Sequence, residues 1–253
     1  MASKGVVSFH RNQVLSTSPF QLPYTLVNTM KFSLLLSALC ALPSAFAAYD
    51  QNRAGAVLKA PEGDSFKSVT GTFSVPNLSG TARLSIWVAI GESTEQDYVL
   101  KGGIHYNRGY ASFAGWYPDA ETNTTTSVPA KASDSITVTV ALTSATSGTV
   151  TIENKTQNKK VTQTVAAPAS VDPSYLTART ADWFVQAYQV VPGELVNAPR
   201  FGTIAFTACS ATLASGASRG PTGAGTFEIQ GTSGQIYSKT TVSSSGVSVQ
   251  RSG

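Results

Sequence analysis

From Ser65 to the C-terminus the chain alternates apolar and polar residues with a period of two, and this patterning constrains its fold most. Ser65 to Val75 carries Phe66, Val69, Phe73 and Val75 and stops at Pro76. Arg83 to Ile90 sets Leu84, Ile86, Val88 and Ile90 on one face and Trp87 on the other. Ser135 to Leu142 sets Ile136, Val138, Val140 and Leu142 against Ser and Thr. Thr149–Asn154, Val161–Val165, Trp183–Val191, Phe201–Cys209, Thr226–Ile229 and Ser238–Gln250 continue the series, separated by Gly, Pro, Asn and Ser turns. Successive residues of a strand point to opposite faces, so each segment reads as a strand with one face in a core. No window of useful length shows a 3.6-residue period. The expectation is an all-β, antiparallel β-sandwich of two large sheets around one core.

The start of the folded domain follows from the leader. Met30-Lys31 precedes the apolar run Phe32–Leu42 and then Ser44-Ala45-Phe46-Ala47. That is a basic segment, an apolar segment and a small-x-small cleavage site in order, the pattern of a secretory signal peptide. The run is too short to span a bilayer, which takes about 20 apolar residues. Residues 1–29 are therefore expected to be an unstructured upstream extension, 30–47 the signal peptide and 48–253 a single domain. A secreted, extracellular protein is expected, with no membrane attachment after cleavage. The sequons at Asn77, Asn123 and Asn154 agree with that route and are the expected glycosylation sites.

Removing 1–47 leaves fifteen basic against fourteen acidic residues, a net charge of +1. No Lys/Arg cluster is interleaved with aromatics, so a nucleic-acid partner is not expected. Cys40 leaves with the leader and Cys209 remains alone, so no disulfide is expected within the domain. Cys209 is expected to pack as a small apolar strand residue. His105 is the only histidine after residue 47. That excludes a multi-histidine metal site, and no metal or other cofactor is expected. A monomer is expected.

Two segments carry the chemistry. Val99-Leu100-Lys101-Gly102-Gly103 and Ala181-Asp182-Trp183-Phe184-Val185-Gln186 resemble the two catalytic strands of the fungal glutamic peptidases, or eqolisins. That family reads Leu-Gln-Thr-Gly in the first and Ala-Glu-Trp-Ile-Val-Glu in the second. The likeness continues in matching order through Asn52–Val57, Val69–Pro76, Ser85–Val88, Trp116–Pro118, Ile152–Thr156 and Phe201–Thr207. The resemblance implies a concanavalin A-like sandwich of the lectin and glucanase type. It also implies an acid endopeptidase in which a glutamate activates water and a glutamine amide stabilises the oxyanion. Lys101 stands at the glutamine position and Gln186 at the glutamate position.

Gln186 has no titratable proton, and loss of a general base costs roughly 10²–10⁴-fold in rate. Other positions depart as well. Arg53 replaces a cleft tryptophan, Gly91 and His105 stand where the family has aspartates, and Gly115 where it has a glutamate. Trp87 is kept. The expected cleft residues are therefore Trp87, Arg53 and His105, with a polypeptide or glycan as ligand and catalysis impaired. The alternative is an active acid endopeptidase of altered mechanism. Asp182 would be its base, on the strand face of Gln186 and about 7 Å along it, and Lys101 its oxyanion donor. Glu95 and Asp97 lie just before Lys101, within reach of a local salt bridge that is worth little if exposed.

Overall fold

The computed structural model describes residues 47–91, 98–172, 174, 176–188 and 199–252. Residues 1–46 lie outside that set, and with them nearly all of the leader; so do Glu95 and Asp97. Numbered along the chain, the strands fall into two sheets with no α-helix among the described residues. The first sheet runs, from edge to edge, β1 (Ala48–Asp50), β14 (Gly225–Ile229), β2 (Arg53–Lys59), β11 (Thr180–Tyr188), β4 (Arg83–Gly91), β5 (Val99–Tyr106), β6 (Tyr110–Tyr117) and β7 (Thr122–Asn123). The second runs β10 (Lys159–Ala166), β9 (Ser147–Asn154), β8 (Ser135–Ser144), β3 (Phe66–Ser74), β12 (Thr203–Leu213), β16 (Val247–Arg251) and β15 (Ser238–Val242). A two-residue β13 (Ser218–Arg219) pairs beside β12. Every pairing between strands is antiparallel except β1 with β14.

The alternation read from sequence is the packing. Leu84, Ile86, Val88 and Ile90 of β4 and Ala181, Trp183, Val185 and Ala187 of β11 face inward. They meet Val69 and Phe73 of β3, Ile136, Val138 and Val140 of β8, and Ile204 and Phe206 of β12. Trp183, wholly buried, ties the layers together. Its Nε1 donates to the Thr70 carbonyl at 2.9 Å, and its ring lies against Gly71, where a Cβ would fall 2.8 Å from Cδ1. Cys209 follows a register shift in β12 and is buried in the same core. Burial pushes its thiol up to about 12, which leaves it inert.

Two expectations need correcting. The segment Ser238–Gln250 is not one strand but the hairpin β15–β16. It turns at Ser243–Gly246, where the Ser243 amide donates to the Gly246 carbonyl at 2.9 Å. Short Ser/Val alternation reads the same on either side of so tight a turn. The strand carrying Gln186 begins at Thr180, three residues before the first large apolar residue. The expected end of that strand, at 189–191, lies outside the described residues.

One sequon is lost to the fold. Asn77 and Asn123 are exposed, but Asn154 is wholly buried. Its Nδ2 donates to the Pro129 carbonyl and to Asp134 Oδ2, both at 2.8 Å. In the folded chain the amide that would carry the glycan is thus a core hydrogen-bond donor, and Asn154 is a structural residue.

Candidate active-site cleft

The same period of two that buries one face of the first sheet sends the other residues of β2, β11, β4, β5 and β6 to its outer face. Register then decides which of them meet. Gln186 on β11 lies beside Arg53 on β2 and Ser85 on β4, and Ser85 lies beside His105 on β5. One alternation further along, Phe184, Trp87, Gly103 and Phe113 form the next row. In the row beyond, Asp182, Ala89, Lys101 and Gly115 follow in order. Phe184, Trp87, Val57, Ala89, Val99 and Phe113 pack as a small apolar cluster of their own, which makes a rigid floor. Above it opens a cleft of about 490 Å³.

The structure brings Lys101, Gln186, Trp87, Arg53 and His105 to this one cleft. Trp87 lies between the first two. Its Nε1 donates to Gln186 Oε1 at 3.3 Å, and the Lys101 ammonium sits 5.7 Å from its ring centroid. Gln186 Oε1 also accepts from the Tyr188 hydroxyl at 3.3 Å. Burial pushes the Tyr188 phenol up to about 12, so it stays a donor across the accessible pH range.

Lys101 is nearly buried, and its ammonium lies 5.6 to 5.7 Å from the rings of Trp87, Phe113 and Tyr117. Its ion-pair partner among the described residues is Glu121, with Nζ to Oε1 at 2.8 Å. The other oxygen, Oε2, meets His105 Nε2 at 2.5 Å, and the His105 ring stacks on Phe113 with centroids 3.8 Å apart. Glu121 reaches them from the turn between β6 and β7 by lying across Gly115. A Cβ at 115 would fall 2.9 Å from Glu121 Cγ and 3.0 Å from its Cα. The absence of a side chain at 115 therefore makes room for the carboxylate delivered over it.

Arg53 lines the cleft, but it is 2% exposed and committed. Its Nη2 and Nε lie 2.8 and 2.9 Å from Asp50 Oδ2, and its guanidinium lies 5.1 Å from the Phe184 ring centroid. Asp182 is not in the cleft. It shares the outer face of β11 with Gln186 but lies four residues away, about 13 Å rather than 7 Å. Phe184 stands between them. Asp182 is wholly buried, and its Oδ2 accepts from Thr180 Oγ1 at 3.3 Å.

Glu121, Asp50, Arg83 and Tyr188 were not singled out from the sequence. Glu121 is sixteen residues from His105 on another element, and no spacing rule links them; the one local signal was the bare Gly115. No group of three metal-ligating side chains occurs among the described residues.

Burial alone would raise the Glu121 carboxyl, but the His105 hydrogen bond and the Lys101 ammonium outweigh it and hold it at about 2, below its ordinary 4.5. A carboxylate with a depressed folded pKa contributes stability that is complete above about 4.5 and is lost as pH falls toward 2. Glu121→Gln is expected to cost about 2 kcal/mol at pH 7, the full linkage value being reduced for the quarter of the side chain that is exposed. The deficit should shrink toward zero near pH 2. Urea denaturation of both proteins at pH 7 and pH 3 checks this, and a gap that does not change with pH would remove the ion pair from the account.

The comparisons with known proteins meet this geometry. A family model described as the Peptidase A4 family matches residues 51–251. Aspergillopepsin-2 of Aspergillus niger is 30% identical over 228 residues, covering 79% of this chain and 77% of its own. The crystal structure of scytalido-glutamic peptidase with a transition state analog inhibitor superposes with a TM-score of 0.69 at 27% identity, over 80% of this chain and 99% of that one. SCP-B, a member of the eqolisin family of peptidases in complex with the tripeptide Ala-Ile-His, gives 0.66 at 25% identity over the same shares. With the family model spanning nearly the whole sandwich and both sheets superposed on glutamic peptidases, the chain belongs to the Peptidase A4 family, the eqolisins or glutamic peptidases.

Proposed function

We propose that this protein is a secreted member of the family that holds a polypeptide segment in the cleft without hydrolysing it at a peptidase's rate. The observation that carries this reading is the state of the carboxylates. The position that the sequence resemblance sets against the family's glutamate is Gln186, an amide bonded to Trp87 and Tyr188. The cleft's own carboxylate, Glu121, is clamped between Lys101 and His105. A general base works best with a pKa near the working pH, and a carboxylate held at about 2 by the His105 hydrogen bond and the Lys101 ammonium binds a proton poorly. Asp182, the alternative base, is buried away from the cleft.

An oxyanion donor is also missing in effect. An ammonium at position 101 could stabilise negative charge, but its nearest oxygen is Glu121 Oε1 at 2.8 Å. A developing oxyanion would have to displace a full carboxylate. A polypeptide is preferred to a glycan as ligand because the relatives whose structures superpose on this chain are bound to a peptide and to a transition state analog inhibitor. Secretion rests on the leader pattern, and glycan attachment is assigned to the exposed Asn77 and Asn123.

The test is incubation of the secreted protein with a denatured protein substrate from pH 2 to 7, read by electrophoresis and mass spectrometry. No cleavage is expected above a heat-inactivated control. Cleavage abolished by Asp182→Asn would restore the altered-mechanism alternative. Cleavage abolished only by Glu121→Gln would make Glu121 the base. Either result overturns the reading.

A further inference from the structure

The charges lining the cleft are almost all answered from within. Arg53 is paired to Asp50, and both Lys101 and His105 are paired to Glu121. Arg83 is the exception: it lines the cleft at the first position of β4, is exposed, and its side chain makes no hydrogen bond or ion pair with another described residue. Its strand neighbour is Tyr188, and Asn107 lines the cleft at the same end. Four residues further along β4 on the same face stands Trp87, the centre of the apolar floor. The cleft is thus bipolar, with an open guanidinium at one end and aromatic rings at the other, roughly 13 Å apart at strand rise.

Resting on the peptide-binding reading above, we infer that Arg83 reads a carboxylate on the bound segment while Trp87 takes an apolar side chain about four residues away. A guanidinium presents paired N–H donors that match a carboxylate bidentately, which an amide or hydroxyl cannot replace. An extended peptide advances about 3.3 Å per residue, so four residues span the distance between the two ends. The carboxylate is either a chain terminus or an acidic side chain. Both offer the same two oxygens, and among the described lining residues the one carboxylate, Glu121, is held by Lys101 and His105.

Three peptides separate the outcomes: Phe-Ala-Ser-Gly-Ala as the free acid, the same peptide as its C-terminal amide, and an amide with Glu in the last position. Binding is measured by calorimetry on the full secreted protein and on Arg83→Gln, a change at an exposed position that leaves the core untouched. The free acid is expected to bind about ten-fold tighter than the neutral amide, the scale of one charge-assisted contact. The Glu amide should match it if side chains serve as well as termini; if it falls to the level of the neutral amide, the carboxylate read is the terminus. Arg83→Gln should bring all three peptides to the affinity of the neutral amide. Equal binding of the three by the unmodified protein, or a preference that survives Arg83→Gln, overturns the inference while leaving the peptide reading in place. Failure of all three to bind, alone or alongside binding of a neutral chito-oligosaccharide, overturns both.

Discussion

Exchanging Lys101 for Gln and Gln186 for Glu together is expected to raise cleavage of an unfolded protein at acid pH by about 10²–10⁴-fold over the parent, the usual worth of a positioned general base. The surroundings of position 186 suit a carboxylate, since the Trp87 indole and the Tyr188 hydroxyl already donate to the oxygen there. Both are neutral donors: they orient a carboxylate and favour its charged form through hydrogen bonds, without adding a cation's charge beside it. The change at 101 has two consequences. It supplies a neutral amide donor for the oxyanion, and it removes the ammonium that holds Glu121. Gln186→Glu alone should gain less, because the ammonium across Trp87 remains committed to Glu121 and would compete for the new carboxylate. The measurement is kcat/KM on a denatured substrate between pH 2 and 7, with thermal unfolding of each variant beside it. A double variant that unfolds at the parent's temperature yet cuts no faster would mean that positions 101 and 186 do not set the cleavage rate. Arg53 and Gly91 would then be next to examine.

The fold was legible because it rests on a local signal. Alternation over β3, β4, β8 and β9 places each side chain inward or outward without reference to any other strand, and the buried residues are those the pattern marks. Cys209 is inward against that rule: alternation from Ile204 and Phe206 would send it outward, and the register shift between Thr207 and Ser210 changes the parity. The site was legible only where it lies on strands. Lys101, Gln186, Trp87, Arg53 and His105 converge because register carries outer-face residues of neighbouring strands side by side. Their partners were not legible. Glu121 comes from a turn, and the direction of a turn is set by packing against Gly115 rather than by any periodicity. Asp50 answers Arg53 across three residues of backbone, too local a contact for a strand pattern to announce. Asn154 shows the opposite failure. A three-residue motif can be perfect in sequence while the fold spends its amide on Pro129 and Asp134.

Trp183→Ala is expected to cost about 3–5 kcal/mol, the range for truncating a buried aromatic side chain. Against a total of roughly 5–15 kcal/mol for a domain, that change alone brings unfolding within reach of mild heating. The position is unusual in what it joins. Trp183 stands on β11 of the cleft sheet, two residues from Val185 and three from Gln186, and its indole crosses the core to the opposite sheet. There it donates to Thr70 and lies where a side chain at 71 would be. Removing the ring opens a cavity and leaves the Thr70 carbonyl without this donor; both effects fall on the contact between the two layers. Gly71→Ala attacks the same contact from the other side. Its Cβ would fall 2.8 Å from Cδ1 of a ring fixed by its hydrogen bond, so overpacking of about 1–3 kcal/mol is expected. Because both changes act on one contact they should not add. In a Trp183→Ala background, Gly71→Ala should cost less than it does alone, since the ring it strikes is gone. Urea denaturation of the two single variants and the double variant tests the cycle. Additive costs, or a Trp183→Ala penalty below about 1 kcal/mol, would show that the sheets are held by the dispersed apolar core and not by this ring. If the cycle closes as described, the strand that presents Gln186 to the cleft is anchored from behind by the residue three positions before it. The conformation of the site is then fixed by the packing of the sandwich rather than by any ligand.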